Sequence, residues 1–153
     1  MESLMFNVLR HKFPDKFDAN SPIEIGAGWL GVAQDLVMQL AELHPDIRIG
    51  AMFRDQHGML HVDAGVVPTA TPGDVPVDDL DILYYIVDNV LDPVADKRLL
   101  DNMLHFIGQA RLLSAWTCYE DGKPGWLVDA PDGRRPLCAE CQRRRGLLRR
   151  HEA

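Results

Sequence analysis

Long apolar runs are missing from this 153-residue chain. No stretch reaches the ~18 residues of a membrane-spanning helix, so none is expected. Met1 to Phe17 lacks a charged segment, an apolar core and a small-residue cleavage site in that order. It does not read as a secretory signal. Cysteine is scarce: Cys118, Cys138 and Cys141 are the only three. An odd number, with two of them three residues apart, suits a reducing compartment and metal or thiol chemistry better than a disulfide framework. A cytoplasmic setting is expected.

Catalytic signatures are missing as well. Ser21 and Ser114 have no nucleophile-elbow sequence around them, and no His/Asp set has a recognisable spacing. A zinc deaminase needs H-x-E with P-C-x-x-C. Pro136-Leu137-Cys138-Ala139-Glu140-Cys141 comes close to the second half, with Leu137 inserted, and the first half is absent. A non-enzymatic protein is expected.

What is present is charge, unevenly spread. The net charge is −7. Residues 1–133 carry nine Lys and Arg against 21 Asp and Glu, a balance of −12, and residues 134–153 carry seven Arg against two Glu, +5. The body should repel nucleic acid and be drawn to basic surfaces, and the tail the reverse.

The length fits one domain, 1–153, with residues 1–115 as an acidic helical body and 116–153 as a terminal element with a basic tail. The periodicity predicts an α+β fold that is mainly helical, with roughly four to five helices and a short hairpin. Leu4, Met5, Val8 and Leu9 predict a helix over 2–11, followed by a polar connection over 15–24. Gly26-Ala27-Gly28 opens a helix over 27–44, with Trp29, Val32, Ala33, Leu36, Val37, Leu40 and Leu43 on one face. This opening lacks the P-loop Lys, so its glycines read as a tight turn and a close packing contact.

Alternation over 47–54 and 59–63 predicts a β-hairpin at 47–63, with Gly58 taking φ > 0. His57, His61 and Asp63 read as ordinary hairpin residues. Residues 64–77 form a Pro-rich loop. Helices are predicted over 79–91, broken by Pro93, and over 95–114. His105 is placed at a core or boundary position of the second. Asp74, Asp78, Asp79, Asp81, Asp88, Asp92, Asp96 and Asp101 then form an acidic surface, the candidate partner-binding residues.

The terminal stretch carries the metal chemistry. Cys138 and Cys141 make a C-x-x-C. Cys118 has Asp121 three residues on, where a second thiolate would stand, and Gly122 follows. Two short ligand pairs around sixteen residues, with Pro131-Asp132-Gly133 between, make a zinc-knuckle-like hairpin. The aspartate in place of a thiolate points to a degenerate knuckle with no cofactor, held by packing of Trp116 and Trp126. The alternative is a zinc site of Cys118, Asp121, Cys138 and Cys141, with His151 a substitute ligand if the tail folds back. Arg134, Arg135, Arg143, Arg144, Arg145, Arg149 and Arg150 are the candidate phosphate contacts if the tail binds nucleic acid. Otherwise they pair with the protein's own acids.

Phe13-Pro14, Glu24-Ile25-Gly26-Ala27-Gly28-Trp29, the 54–60 hairpin, Thr117-Cys118, Gly122-Lys123-Pro124-Gly125 and Pro136 to Cys141 occur in a specific order. The layout resembles a family of uncharacterised small proteins of phages, prophages and bacterial genomes, which have a CGDGW-like helix opening and a C-terminal TCExCGxPG…GW…TLCxxH/C knuckle. Ile25, Ala27 and Asp121 depart from that pattern, and the Pro-rich loop with its acidic helix looks inserted. The resemblance implies the layout and a knuckle of metal-binding origin, and no activity. Small acidic phage proteins of this kind suggest an anti-defence inhibitor, an anti-CRISPR protein among them, acting in the cytoplasm of a bacterial host. Its partner would be a host protein complex such as a CRISPR surveillance complex, engaged through the acidic surface. The alternative is a knuckle that binds nucleic acid through the Arg-rich tail. Self-association is also expected, because a two-stranded hairpin alone is marginal.

Overall fold

A computed structural model describes residues 8–17, 21–66 and 93–147, with the backbone alone at 93–96. The chain is mixed α+β; the described residues form a three-stranded sheet and a separate two-stranded hairpin. Residues 8–12 are helical, here α1. β1 (Ile23–Glu24) leads through a 3₁₀ turn (Ala27–Trp29) into α2 (Leu30–Leu43). β2 (Ile47–Arg54) and β3 (Leu60–Val66) follow, then α3 (Pro93–Ala115), β4 (Trp126–Ala130), β5 (Gly133–Leu137) and α4 (Ala139–Arg144). Among the described residues no helix is long and apolar enough to cross a membrane.

α2 forms where its periodicity predicts it. Val32, Ala33, Leu36, Val37 and Leu40 are all buried, three or four residues apart on one face. His44 ends it in an extended conformation, its N–H on the Leu40 carbonyl, and Pro45 follows. β2 and β3 pair antiparallel from Ile47↔Val66 to Arg54↔Leu60, with an irregularity between Ile49 and Ala51. The alternation switches there, so that Ile47, Ile49 and then Ala51 and Met52 are buried. A bulge of this kind adds one residue to a strand and turns its pleat. Gly58 has φ +85°, as the loop requires.

Three expectations change. β3 runs on through Ala64, Gly65 and Val66, which pair with Ile49, Arg48 and Ile47. The long β2 offers partners to residues expected in the loop. The polar connection over 15–24 is partly sheet. Phe17 bridges to Ile49, and Ile23–Glu24 lie parallel to Met52–Phe53. The sheet thus takes its third strand from this chain, and the marginal hairpin no longer argues for a dimer. Pairings of one or two residues carry no alternation, so no periodic signal marks them. The third change concerns α3. It begins at Pro93, a residue tolerated at a first helical position because its missing N–H needs no partner there. Its buried stripe is narrow. Met103 and Ala110 are in the core, whereas Leu104 and Leu113 are more than half exposed. His105 is exposed, not at the core boundary. The helix expected over 79–91, and most of that over 2–11, lie outside the described residues.

The main core gathers α2, the inner face of the sheet, and Met103 and Ala110 of α3. Ser21 and Ser114 both bond backbone groups. Ser21 donates to the Ile49 carbonyl at 3.1 Å. Ser114 accepts from the Leu60 N–H at 2.9 Å and donates to the Arg111 carbonyl at 2.6 Å. Both hydroxyls tie off backbone groups at the sheet. Arg111 also pairs with Asp55, whose carboxylate takes the N–H groups of His57 and Met59. A second, smaller core consists of Cys118, Leu137, Cys138 and Cys141, with Val128 and Leu147 against it.

Candidate metal centre

The first ligand loop is a tight turn. The Cys118 N–H donates to the Lys123 carbonyl at 2.7 Å and the Gly122 N–H to the Cys118 carbonyl at 3.0 Å. Gly122 has φ +79°, a conformation that costs glycine little. The Asp121 Oδ1 accepts the Lys123 N–H at 3.0 Å, which leaves Oδ2 facing the thiols. The second pair sits at the start of α4. Cys138 caps that helix, its sulfur accepting from the Cys141 N–H at 3.5 Å. Gln142 returns its amide to the Leu137 carbonyl at 3.1 Å. The β4–β5 hairpin, in register from Trp126↔Leu137 to Ala130↔Gly133, carries the second pair back to the first.

The four side chains meet. One ligand atom from each of Cys118, Asp121, Cys138 and Cys141 lies within 4.8 Å of the others. The Cys118 and Cys141 sulfurs are 3.7 Å apart, far beyond a disulfide bond of ~2.05 Å. All three thiols are free and buried. Asp121 Oδ2 is 3.2 Å from the Cys138 sulfur and 3.3 Å from the Cys141 sulfur. Among the described residues no other group of His, Cys, Asp and Glu converges in this way. His61 bonds Asp63 at 2.8 Å and stacks on Phe53, while His57 lies exposed in its loop.

Electrostatics sharpen the arrangement. Burial pushes the Cys141 and Cys138 thiols above the usual cysteine range, and the Asp121 carboxylate and the Cys118 sulfur push both the same way. Burial opposes the charge on Asp121 too. There it is outweighed by the Lys123 N–H and by the thiols of Cys138, Cys118 and Cys141, so its pKa falls well below the carboxylate range. Without metal, the Cys138 and Cys141 thiols keep their protons and donate to one ionised carboxylate.

The expected packing of Trp116 and Trp126 around this loop does not occur. They are 68% and 42% exposed. What packs against the loop is the start of α2. The Gly28 N–H donates to the Tyr119 carbonyl at 3.0 Å, and Trp29 Nε1 donates to the Thr117 carbonyl at 2.9 Å. A Cβ on Gly26 would stand 2.2 Å from the Tyr119 carbonyl oxygen. Both segments are legible in the sequence, but no local pattern joins them across some ninety residues.

The remaining candidates divide. Asp74 to Asp92 lie outside the described residues. Asp96 is in α3, with no side chain described, and Asp101 is exposed on α3. Arg149, Arg150 and His151 also lie outside. Arg145 is bound by Glu120 and Asp132, Arg144 by Glu140, and Arg135 by Asp132. Arg135 is buried, whereas Arg134 and Arg143 are exposed. No protein-family model, curated protein or solved structure matches this chain.

Proposed function

We propose that this chain is a non-enzymatic binding protein whose C-terminal hairpin is clamped by one zinc ion on Cys118, Asp121, Cys138 and Cys141. The convergence of these four side chains carries the reading. A tetrahedral zinc with Zn–S near 2.3 Å and Zn–O near 2.0 Å has S–S edges of ~3.8 Å and S–O edges of ~3.5 Å. The 3.7, 3.2 and 3.3 Å separations come close to these. Three thiolates and one carboxylate fill four positions and leave none for water or substrate, the pattern of a structural site. Zinc would stabilise a small core of few apolar side chains. Cobalt(II) titration tests the set: the reading expects one equivalent, with the intense visible bands of a tetrahedral ion and thiolate charge-transfer bands that fade in Cys141→Ser.

The acidic body supports the function. With −12 over residues 1–133, it suits the basic channel of a host protein assembly that holds nucleic acid, such as a CRISPR surveillance complex. A protein from a phage or other mobile element that blocks such a channel fits this charge. The tail supports it by contrast. Arg135, Arg144 and Arg145 are engaged by the protein's own acids, which leaves less positive charge for phosphates. Lys substitutions at Asp78, Asp79 and Asp101 should weaken salt-sensitive binding to such a complex, and the wild-type chain should not shift a nucleic-acid probe at low salt. Binding that ignores the reversals, or a shifted probe, points to the tail instead.

A further inference from the structure

A cavity of about 640 Å³ opens between the start of α2, the end of β2 and the first ligand loop. Ile25, Gly26 and Ala27 line one side, Phe53 and Arg54 another, and Tyr119, Arg135 and Arg145 the rest, with Glu24 and Glu120 at its wall. This size is typical of a small-molecule site. Nothing in the reading of the metal centre requires the cavity.

Its charge is uneven. Arg145 is neutralised by Glu120 and Asp132. Arg54 is not: among the described residues, its hydrogen bonds end on the carbonyl oxygens of Arg134 and Asp132, at 2.7 and 3.4 Å. Arg135 is only 8% exposed. One of its nitrogens reaches the Asp132 carbonyl at 3.0 Å and carboxylate at 3.2 Å, yet its Nε has no partner among the described residues. Both guanidiniums face the Tyr119 ring, at 5.0 Å for Arg135 and 5.8 Å for Arg54. Burial, and then the charge of Arg54, work against the Arg135 charge. A buried guanidinium with an orphan N–H beside a second cation is a costly arrangement, and an anion between them would relieve it.

The apolar wall says what the anion is attached to. Phe53 and Ile25 line the same cavity as the arginines, and the Tyr119 ring is fixed edge-on against Trp29 at 4.8 Å. Aromatic surface beside paired arginines suits a planar or apolar body carrying one oxyanion. We propose that this cavity binds a small molecule with a phosphate or carboxylate group on an aromatic or apolar body, the oxyanion between Arg54 and Arg135 and the body against Phe53 and Tyr119.

The test is a titration of the ¹⁵N-labelled full chain with phenyl phosphate, benzoate and inorganic phosphate. The Arg135 Nε–H resonance and the Gly26 and Ala27 amides report the site. Phenyl phosphate or benzoate should give a saturable shift at millimolar concentration or below, and the tighter of the two assigns the oxyanion. Inorganic phosphate, with no ring, should bind about tenfold more weakly. Arg54→Gln should weaken binding about tenfold. Because Arg54 also holds the hairpin, Glu24→Gln is the companion variant. It lies at an exposed position, and loss of its charge should tighten binding about two- to threefold. No saturable shift with any probe overturns the proposal, as does affinity unchanged in both variants. Neither result bears on zinc, which is measured separately.

Discussion

Trp29 and Thr117 are joined by a hydrogen bond of 2.9 Å from the indole N–H to the carbonyl oxygen. Trp29 is fully buried, and Thr117 is the residue before the first cysteine. The start of α2 and the ligand loop are therefore one packed unit. Gly26 and Gly28 make it so, because any side chain there would occupy space already held by Tyr119 or by the Cys118 carbonyl.

Gly28→Ala should be severe. Its Cβ would lie 2.0 Å from the Cys118 oxygen and 2.5 Å from the Gly122 nitrogen, both backbone atoms. Since neither can rotate away, a loss of about 2–4 kcal/mol is expected. Gly31, the second residue of α2, meets nothing within 4 Å. Gly31→Ala should stabilise by about 0.5–1 kcal/mol through helix propensity. Urea melts of the two variants make the comparison, and equal effects would contradict the close contact.

Asp55→Asn should cost about 1–3 kcal/mol at neutral pH, because it breaks the pair with the half-buried Arg111. Burial opposes the Asp55 charge, but Arg111 and the N–H groups of Met59 and His57 outweigh it and depress the pKa. A depressed carboxylate stabilises above its unfolded pKa, and that contribution is lost as pH falls through the lower folded value. The gap between wild type and variant should therefore be full near neutrality and close below about pH 4. A gap that persists in acid would mean the loop hydrogen bonds, not the charge, are what Asn disturbs.

Asp121→Cys should tighten zinc binding. The change completes four thiolates at a position whose carboxylate already faces two sulfurs. Softer ligation should raise the affinity by about tenfold or more, measured by competition with a chromophoric chelator. Asp121→Ala should lower it by a similar factor. Equal affinity in all three proteins would remove Asp121 from the ligand set.

The sequence made some of this legible for physical reasons. α2 announced itself because one face is apolar over four turns. The metal set did so because ligand pairs are local: Cys118 with Asp121, and Cys138 with Cys141, each sit on one short turn. β1 stayed hidden because Ile23–Glu24 is too short for a period. The contact of Gly28 with the ligand loop was hidden because it lies far off in the chain. The cavity was least visible. Its arginines, at 54, 135 and 145, share no motif, and Arg135 and Arg145 stood among candidate phosphate contacts of a solvated tail. Tyr119, between two ligands, showed no sign of the two guanidiniums over its ring.

Zinc content tests the central claim most directly. The full chain, isolated from cells without added metal and without chelators, is assayed by mass spectrometry under native conditions and by elemental analysis. We predict one zinc per chain, removal of which by a chelator lowers the melting temperature and makes Cys118, Cys138 and Cys141 reactive toward a thiol reagent. A chain that carries no zinc, takes none up at saturating concentration and melts at the same temperature with or without it would contradict the account.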